Sequence, residues 1–391
     1  MTTLTRRSFS RAITGSIAAA LAYPALAPNL DAELAGAASE LAPSPAADPA
    51  SPVLLNYNEN PYGPSPKARA ALAKCAAISN RYPDDAAKQL KAVLAKKHNV
   101  APENIALGCG STEILKCADA AFLPAQSNLV APLPTFEAIL EYAEIGGTNT
   151  VKIPLTTDHR QDIQRMAASC TSKTGIVYLC NPNNPTGTFI PRDELTTFVA
   201  AVPPTTLILI DEAYFEFADA PTYGTATPLI AAHPNVLVAR TFSKIYGMAG
   251  MRLGYGVGGK PTIELLSRYF VQDNINAAVI AAATASLEDY EGLAVTLDKL
   301  MRSRDWLYAQ LTKDGRTYIP SQGNFVMLSV GTDAKPIIAK FAEHNVLVGR
   351  YFPSMPEFIR VTIGTQPEME AFVAALRQVV PASGVTSTIA A

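Results

Sequence analysis

The chain has almost no net charge and no long apolar run in its main body. Its 391 residues carry 32 lysines and arginines against 34 aspartates and glutamates. Because no basic excess exists to hold a polyanion, nucleic acid is not an expected partner. The apolar runs stay below the roughly 18 residues that cross a bilayer, so we expect no stable membrane anchor.

Paired cysteines are also missing. The five cysteines form no CxxC pair, and their odd number does not suit a disulfide framework. We therefore expect free thiols, and we expect no metal site. The cysteines are Cys75, Cys109, Cys117, Cys170 and Cys180.

The first 50 residues differ in composition from the rest. The stretch TRRSFSR (Thr5 to Arg11) precedes an alanine-rich apolar segment and then a proline-rich linker. This order resembles a twin-arginine secretory leader, which predicts export to the periplasm, with a cytoplasmic location as the alternative. Free thiols suit this route, because such a chain folds in the reducing cytoplasm before it crosses the membrane.

Residues 91–290 alternate short apolar runs with helix-like stretches. This rhythm is typical of an α/β domain with a largely parallel sheet. The runs TGIVYLC, TTLILID and NVLVART are each followed by polar residues, and functional groups collect at the carboxyl ends of such strands. Residues 291–391 indicate a smaller α+β domain, to which residues 51–90 contribute an N-terminal arm and further structure.

The segment TFSKIYGMAGMR places Lys244 at the end of an apolar strand, with Arg252 eight residues further on. A lysine withdrawn from water beside another cation has a lowered pKa. Its neutral amine can then attack a carbonyl and form a Schiff base. A Ser-Lys pair alone usually marks a surface lysine, so this interpretation depends on the motifs that accompany it.

Three motifs accompany Lys244. In DEAY, Asp211 ends a buried strand and needs a cationic partner, which a pyridinium nitrogen would supply; a helix N-cap is the alternative. In NPNNPTG, a tight turn holds Asn184, whose amide can donate to a phenolate oxygen. In GCGSTEIL, glycines open a helix whose N–H groups at Ser111 and Thr112 favour a phosphate. Together these groups describe a site for a phosphorylated pyridine aldehyde.

With these motifs in this order, the chain resembles the fold-type I pyridoxal phosphate aminotransferases of class I and II, and within them the histidinol-phosphate aminotransferases. The resemblance covers residues 53–380. It implies a large cofactor-binding α/β domain with a mostly parallel seven-stranded sheet, plus a smaller α+β domain. It implies transfer of an amino group between an amino acid, or a histidinol-phosphate-like amine, and a 2-oxo acid. A racemase, decarboxylase or oxidase with the same cofactor, pyridoxal 5'-phosphate, is the alternative.

The resemblance also implies roles for single residues. Lys244 would carry the Schiff base and move the α-proton, and Asp211 would pair with the pyridine nitrogen. Asn184 and the third catalytic residue, Tyr214, would bind the phenolate oxygen, and Phe136 would stack on the ring. The residues implied to hold the phosphate are Gly110, Ser111, Thr112, Thr241, Ser243 and Arg252.

Tyr82, in SNRYPD, resembles the tyrosine that reaches the cofactor phosphate of the neighbouring subunit. This likeness implies a homodimer with composite active sites. The other expected partners are small molecules, namely an amino acid and a 2-oxo acid.

On the substrate side, the resemblance assigns the substrate carboxylate to Arg360 and places Asn58 and Tyr62 in an arm that lines the pocket. Histidinol-phosphate enzymes carry a second arginine in a VR or LR pair, whereas this chain has Gly349 followed by Arg350. Arg350 is still a candidate substrate-binding residue, but a shift of one residue along a strand would turn it away from the pocket, which argues against a phosphorylated substrate. Histidine biosynthesis belongs in the cytoplasm, so for an exported enzyme we expect a different amino donor, with an aromatic, basic or otherwise bulky side chain. The aromatic residues near the pocket that favour one are Tyr57, Tyr62, Tyr351 and Phe352.

Overall fold

The computed structural model describes residues 51–381, so the predicted leader in residues 1–50 lies outside the described part of the chain. Within residues 51–381, no helix is both long enough and apolar enough to span a bilayer. The strands are β1 (Val53–Leu55), β2 (Ile105–Gly108), β3 (Asn128–Leu133), β4 (Asn149–Pro154), β5 (Thr174–Cys180), β6 (Leu207–Asp211), β7 (Val236–Thr241), β8 (Gly254–Gly258), β9 (Tyr318–Ile319), β10 (Phe325–Ser329), β11 (Val346–Val348) and β12 (Phe358–Thr362). The α-helices are α1 (Pro66–Cys75), α2 (Asp84–His98), α3 (Ser111–Phe122), α4 (Ala138–Ile145), α5 (Ile163–Ser169), α6 (Arg192–Ala201), α7 (Lys260–Ser267), α8 (Ala277–Leu287), α9 (Tyr290–Lys313), α10 (Ala334–Glu343) and α11 (Gln366–Val379).

A seven-stranded sheet in the order β2-β8-β7-β6-β5-β3-β4 forms the centre of the fold. Neighbouring strands run parallel except at β8, which is antiparallel to both β2 and β7. The sheet is therefore mostly parallel, as predicted, and the apolar runs that indicated β5, β6 and β7 form strands at those places.

Both faces of this sheet are covered, which explains why its central strands are apolar throughout. Because side chains alternate along a strand, Leu207 and Leu209 of β6 face the layer of α3, α4 and α7. Ile208 and Ile210 face the opposite layer, which includes α5 and α6. All five residues of β6 are buried, as expected for a parallel strand between two helical layers.

A smaller part of the molecule follows the sheet in sequence. Strand β10 pairs antiparallel with β9 and β12, and helices α9, α10 and α11 accompany this sheet in the chain. Strand β1 of the N-terminal arm pairs in parallel with β11, so the arm joins the C-terminal part. The smaller α+β region is thus present, while the boundaries at residues 90 and 290 remain predictions.

The carboxyl ends of β6 and β7 are tied together by a buried ion pair. Arg240 donates from Nη2 to Glu212 Oε2 at 2.7 Å and from Nε to the same oxygen at 3.0 Å. Both side chains are almost fully buried. Asp211 precedes Glu212 and Thr241 follows Arg240, so this pair sets the relative positions of two predicted site residues.

Candidate active site

A cavity of about 430 Å³ lies where the ends of β5, β6 and β7 meet the N-terminal arm, the end of β11 and the middle of β12. Most of the residues predicted for the site line it, although they come from distant parts of the sequence. They are Asn58, Ser111, Thr112, Phe136, Asn184, Asp211, Tyr214, Thr241, Ser243, Lys244, Arg252, Arg350 and Arg360. The topology therefore brings the separate motifs into one place, at the edge of the sheet that the sequence indicated.

One part of the cavity is built to hold an anion. Helix α3 starts at Ser111, directly after Gly110, which has a φ of 82°. This φ favours glycine, and a Cβ atom at Gly110 would also overlap Nη2 of Arg252 and displace its guanidinium. Arg252 lies 3.4 Å from both Ser243 Oγ and Thr112 Oγ1. Helix N–H groups, two hydroxyls and a guanidinium thus converge, which is the donor set that a phosphate needs.

Lys244 is held inside the cavity by the N-terminal arm. Its Nζ donates to the carbonyl oxygen of Tyr57 at 3.1 Å and lies 5.7 Å from the centre of the Tyr214 ring. Burial and then the positive charge of Arg360 lower the pKa of Lys244, against the opposing charges of Glu59 and Asp211, and the net value is about 8. Near physiological pH, a far larger fraction of this amine is therefore neutral than in an ordinary lysine, although the protonated form still predominates.

The cation that acts most on Lys244 differs from the one that the spacing suggested. Arg252, eight residues along the chain, does lower the pKa of Lys244, but after burial the larger effect comes from Arg360. Arg360 is 116 residues away in sequence (360 − 244) and is brought close by the packing of β12 against the sheet end.

Asp211 is a buried acid with no ion-pair partner within residues 51–381. Its Oδ1 accepts from the N–H of Ala213 at 3.1 Å and its Oδ2 accepts from the Tyr178 hydroxyl at 3.3 Å. Burial raises the pKa of Asp211 to about 6 despite these bonds. A protonated ring nitrogen in the cavity would supply the missing cation, so the site fits a pyridinium.

Tyr214 and Asn184 provide donors for an oxygen atom in the cavity. Burial raises the pKa of Tyr214, so its hydroxyl stays protonated. Asn58 Nδ2 donates to that hydroxyl oxygen at 2.9 Å, which leaves the Tyr214 proton to be donated elsewhere. Asn184 accepts from Arg360 through Oδ1, and this orientation leaves its amide nitrogen to donate.

Arg360, on β12, presents a fixed guanidinium to the cavity. Nη1 donates to Asn184 Oδ1 at 2.7 Å and Nη2 donates to the carbonyl oxygen of Asn56 at 2.8 Å. Its Nε is buried and has no hydrogen-bond partner among residues 51–381. Since both acceptors are neutral, the positive charge of Arg360 is not cancelled by these contacts and remains for a substrate anion.

Gly349 makes room for Arg360. The N–H of Gly349 donates to the Arg360 carbonyl at 2.7 Å. A Cβ atom at position 349 would lie 2.8 Å from that carbonyl oxygen and 3.2 Å from Arg360 Nε. The glycine that departs from the pattern of histidinol-phosphate enzymes is therefore a requirement of the way Arg360 is placed in this chain.

The structure decides between the two expectations for Arg350 and places it in the wall of the cavity, as expected of a candidate substrate residue. Strand β11 ends at Val348, so the alternation of side chains along that strand no longer governs position 350. Arg350 lines the cavity rather than facing away. Its Nη2 pairs with Glu137 Oε2, across 213 residues of sequence.

Tyr62 and Tyr82 lie outside the walls of the cavity. The Tyr62 ring lies 5.0 Å from Nζ of Lys299 on α9, and Tyr82 is 77% exposed. Of the other aromatic residues expected near the pocket, Tyr57 lines it. Phe352 lies behind the pocket wall, in contact with Arg350 and Arg360.

Some contributors were not predicted from the sequence. The backbone carbonyls of Asn56 and Tyr57 accept from Arg360 and Lys244, and no side-chain pattern signals a carbonyl. Tyr178, on β5, bonds Asp211 across neighbouring strands, which required the strand register. Glu137 follows Phe136 directly in the sequence, but only its contact with Arg350 reveals its importance.

Comparison with known proteins decides the family. The family model "Aminotransferase class I and II" matches residues 50–376. The chain belongs to this family. It is 37% identical over 330 residues to a histidinol-phosphate aminotransferase of Moorella thermoacetica, covering 84% of this chain and 85% of that protein. It is 38% identical over 322 residues to an aromatic amino acid aminotransferase of Rhodococcus jostii, covering 82% and 88%.

Solved structures agree with this assignment. A histidinol-phosphate aminotransferase from Sinorhizobium meliloti in complex with pyridoxal-5'-phosphate superposes with a TM-score of 0.79 at 30% identity, covering 84% of this chain and 90% of that one. The predictions of an aminotransferase, of pyridoxal phosphate as its cofactor and of the fold-type I architecture are confirmed. The anion-binding residues at α3, the unpaired Asp211 and the part-neutral Lys244 fit that cofactor.

The lowered pKa of Lys244 predicts how the cofactor-free protein reacts. Pyridoxal 5'-phosphate is added to the cofactor-free protein, and the rate of its attachment to Lys244 is followed by the absorption of the bound cofactor. This rate should rise with pH and level off above about pH 8, because the amine is then mostly neutral. In Arg360→Met, the midpoint should move to higher pH, because a cation beside the amine has been removed. A wild-type rate that keeps rising towards pH 10.5, the ordinary value for lysine, would contradict a lowered pKa.

Proposed function

We propose that this aminotransferase takes an α-amino acid with a bulky, aromatic side chain as its donor and passes the amino group to a 2-oxo acid. The observation that carries the proposal is the buried guanidinium of Arg360, held by two neutral acceptors with its charge available in the cavity. A planar guanidinium suits a carboxylate. Tyr57 lines the same cavity and offers aromatic surface to a large side chain.

Three cavity residues have separate roles in the proposed reaction. When bound, pyridoxal phosphate supplies an electron-withdrawing ring that stabilises negative charge at the donor α-carbon. Asp211 holds a proton on the ring nitrogen, and Arg360 orients the donor carboxylate. The neutral Nζ of Lys244 takes the proton from the α-carbon, a task for which a pKa of about 8 is well matched.

A panel of donors tests the proposal. Phenylalanine, tyrosine, lysine, alanine and histidinol phosphate are added singly to the holoenzyme, and the loss of the cofactor's visible absorption is followed. We expect the aromatic amino acids to give the highest rates and a 2-oxo acid to restore the absorption. Histidinol phosphate as the best donor, or consumption of amino acid that a 2-oxo acid does not reverse, would overturn the proposal.

Substitution of Gly349, which contacts Arg360, tests the role of Arg360 with the same panel of donors. Gly349→Ala should raise the KM for amino acids and lower kcat/KM roughly 10- to 100-fold, because the added methyl displaces the guanidinium. The matched control is Gly146→Ala at the exposed end of α4, where a Cβ atom makes only ordinary contacts. Equal effects of the two substitutions would show that Arg360 does not bind the donor carboxylate.

We also propose that the enzyme is a homodimer in which Tyr82 completes the cofactor site of the partner. The exposure of the Tyr82 ring and its position outside the cavity of its own chain support this. Mixing inactive Tyr82→Ala with inactive Lys244→Ala should restore activity, since each mixed dimer contains one intact site. Failure of mixed subunits to regain activity, when exchange is verified, would refute the composite site.

Export by the twin-arginine route is a further proposal, and it depends on residues 1–50 alone. The order of charged, apolar and proline-rich segments supports it. Cell fractionation of the full chain should find the protein outside the cytoplasm, and replacement of Arg6 and Arg7 by lysine should retain it inside. An unchanged distribution would refute this route.

A further inference from the structure

Two charged side chains from distant parts of the chain meet beside the cavity. Arg350 follows β11, and Glu137 precedes α4 directly after Phe136. Their side chains pair through Arg350 Nη2 and Glu137 Oε2, and they are 49% and 35% exposed. The pair is thus reachable from the cavity, whose wall includes Arg350 and Phe136.

Arg350 and Arg360 share one aromatic wall. The guanidinium carbon of Arg350 lies 4.3 Å from the centre of the Phe352 ring, and that of Arg360 lies 5.5 Å from the same centre. Two arginines so close together would normally form a site for two anionic groups, or for a group with two negative charges.

The two arginines nevertheless differ in charge balance. Arg360 bonds only neutral acceptors, whereas Arg350 is paired with a carboxylate. The charges of Arg350 and Glu137 also act on Arg360. Burial lowers the pKa of Arg360, and among the neighbouring charges Arg350 lowers it further whereas Glu137 raises it. The carboxylate of Glu137 therefore offsets the field that Arg350 would otherwise add to the cavity.

We propose that Glu137, by neutralising Arg350, restricts the enzyme to donors with uncharged side chains and to 2-oxo acids with a single carboxylate. This inference rests on the proposed use of Arg360 for the α-carboxylate. A second carboxylate on donor or acceptor would have to displace Glu137 from Arg350 or lie beside an unbalanced negative charge. Selectivity at this site therefore depends on repulsion from Glu137 as much as on attraction to Arg350.

The decisive variant is Glu137→Gln, which keeps the size and hydrogen-bonding capacity of the side chain and removes its charge. Binding of unreactive analogues to the holoenzyme is measured from the perturbation of the cofactor absorption, with glutarate as the dicarboxylate and 3-phenylpropionate as the monocarboxylate. We expect glutarate to bind about tenfold more tightly to the variant, with little change for 3-phenylpropionate. The ratio of kcat/KM for 2-oxoglutarate over pyruvate should rise by a similar factor.

A matched control separates this effect from general electrostatics. Glu141→Gln removes an exposed carboxylate from the first turn of α4, the helix that Glu137 precedes, and should leave both ratios as in the wild type. Adding Arg350→Gln to Glu137→Gln should abolish the gain for glutarate. Arg350→Gln alone leaves the charge of Glu137 unbalanced, so it should weaken the binding of glutarate more than the binding of 3-phenylpropionate. This variant gives a second test that does not depend on Glu137→Gln.

The outcomes distinguish this inference from the proposed function. The proposed role of Glu137 is wrong if Glu137→Gln or Arg350→Gln leaves the ratio of the affinities for glutarate and 3-phenylpropionate unchanged. It is also wrong if the wild type already binds glutarate more tightly than 3-phenylpropionate. In that case transfer of amino groups from aromatic amino acids can still be observed with the donor panel. If instead histidinol phosphate is the best donor, the proposed function fails, while the binding ratios of the two analogues still report on Glu137.

Discussion

The active site depends on the buried ion pair between Glu212 and Arg240, which holds the ends of β6 and β7 together. Glu212 also accepts the N–H of Ala226 at 2.7 Å, so its carboxylate is bound from two directions. Leaving either buried charge without its partner costs on the order of 3–5 kcal/mol. A slip of one residue in either strand would separate the pair and turn the site residue of that strand, Asp211 on β6 or Thr241 on β7, to the opposite face. The pair therefore fixes the geometry of the catalytic groups more than it adds net stability.

In the cavity beside these strand ends, the positive charge of Arg360 has two effects. Arg360 is the proposed partner of the donor carboxylate, and its charge is the largest cause after burial that lowers the pKa of Lys244. A carboxylate bound at Arg360 would offset this charge, which raises the basicity of Lys244 when a donor is in place. In the proposed mechanism, substrate binding and proton transfer would thus be linked through an electrostatic interaction, without any need for a change in the fold.

Much of this site was predictable because its motifs are local. A buried apolar run followed by Asp211, a turn that contains Asn184, and glycines before Ser111 each describe a short segment whose backbone follows from its own residues. Parallel strands then bring such segments to one edge of the sheet. The position of Arg350 was not predictable in this way, because β11 ends two residues earlier and alternation along a strand stops applying.

The sequence by itself determined the family, the mostly parallel sheet and the cofactor, and it predicted Lys244 and Asp211 as cofactor-site residues, since each of these depends on residue type and short-range spacing. Only the tertiary structure decided that Arg360 rather than Arg252 is the main cation acting on Lys244. It also decided that Gly349 makes room for Arg360 and that Glu137 balances Arg350. These are contacts between segments far apart in the chain, and their energies depend on distance and burial in three dimensions, which sequence spacing does not encode.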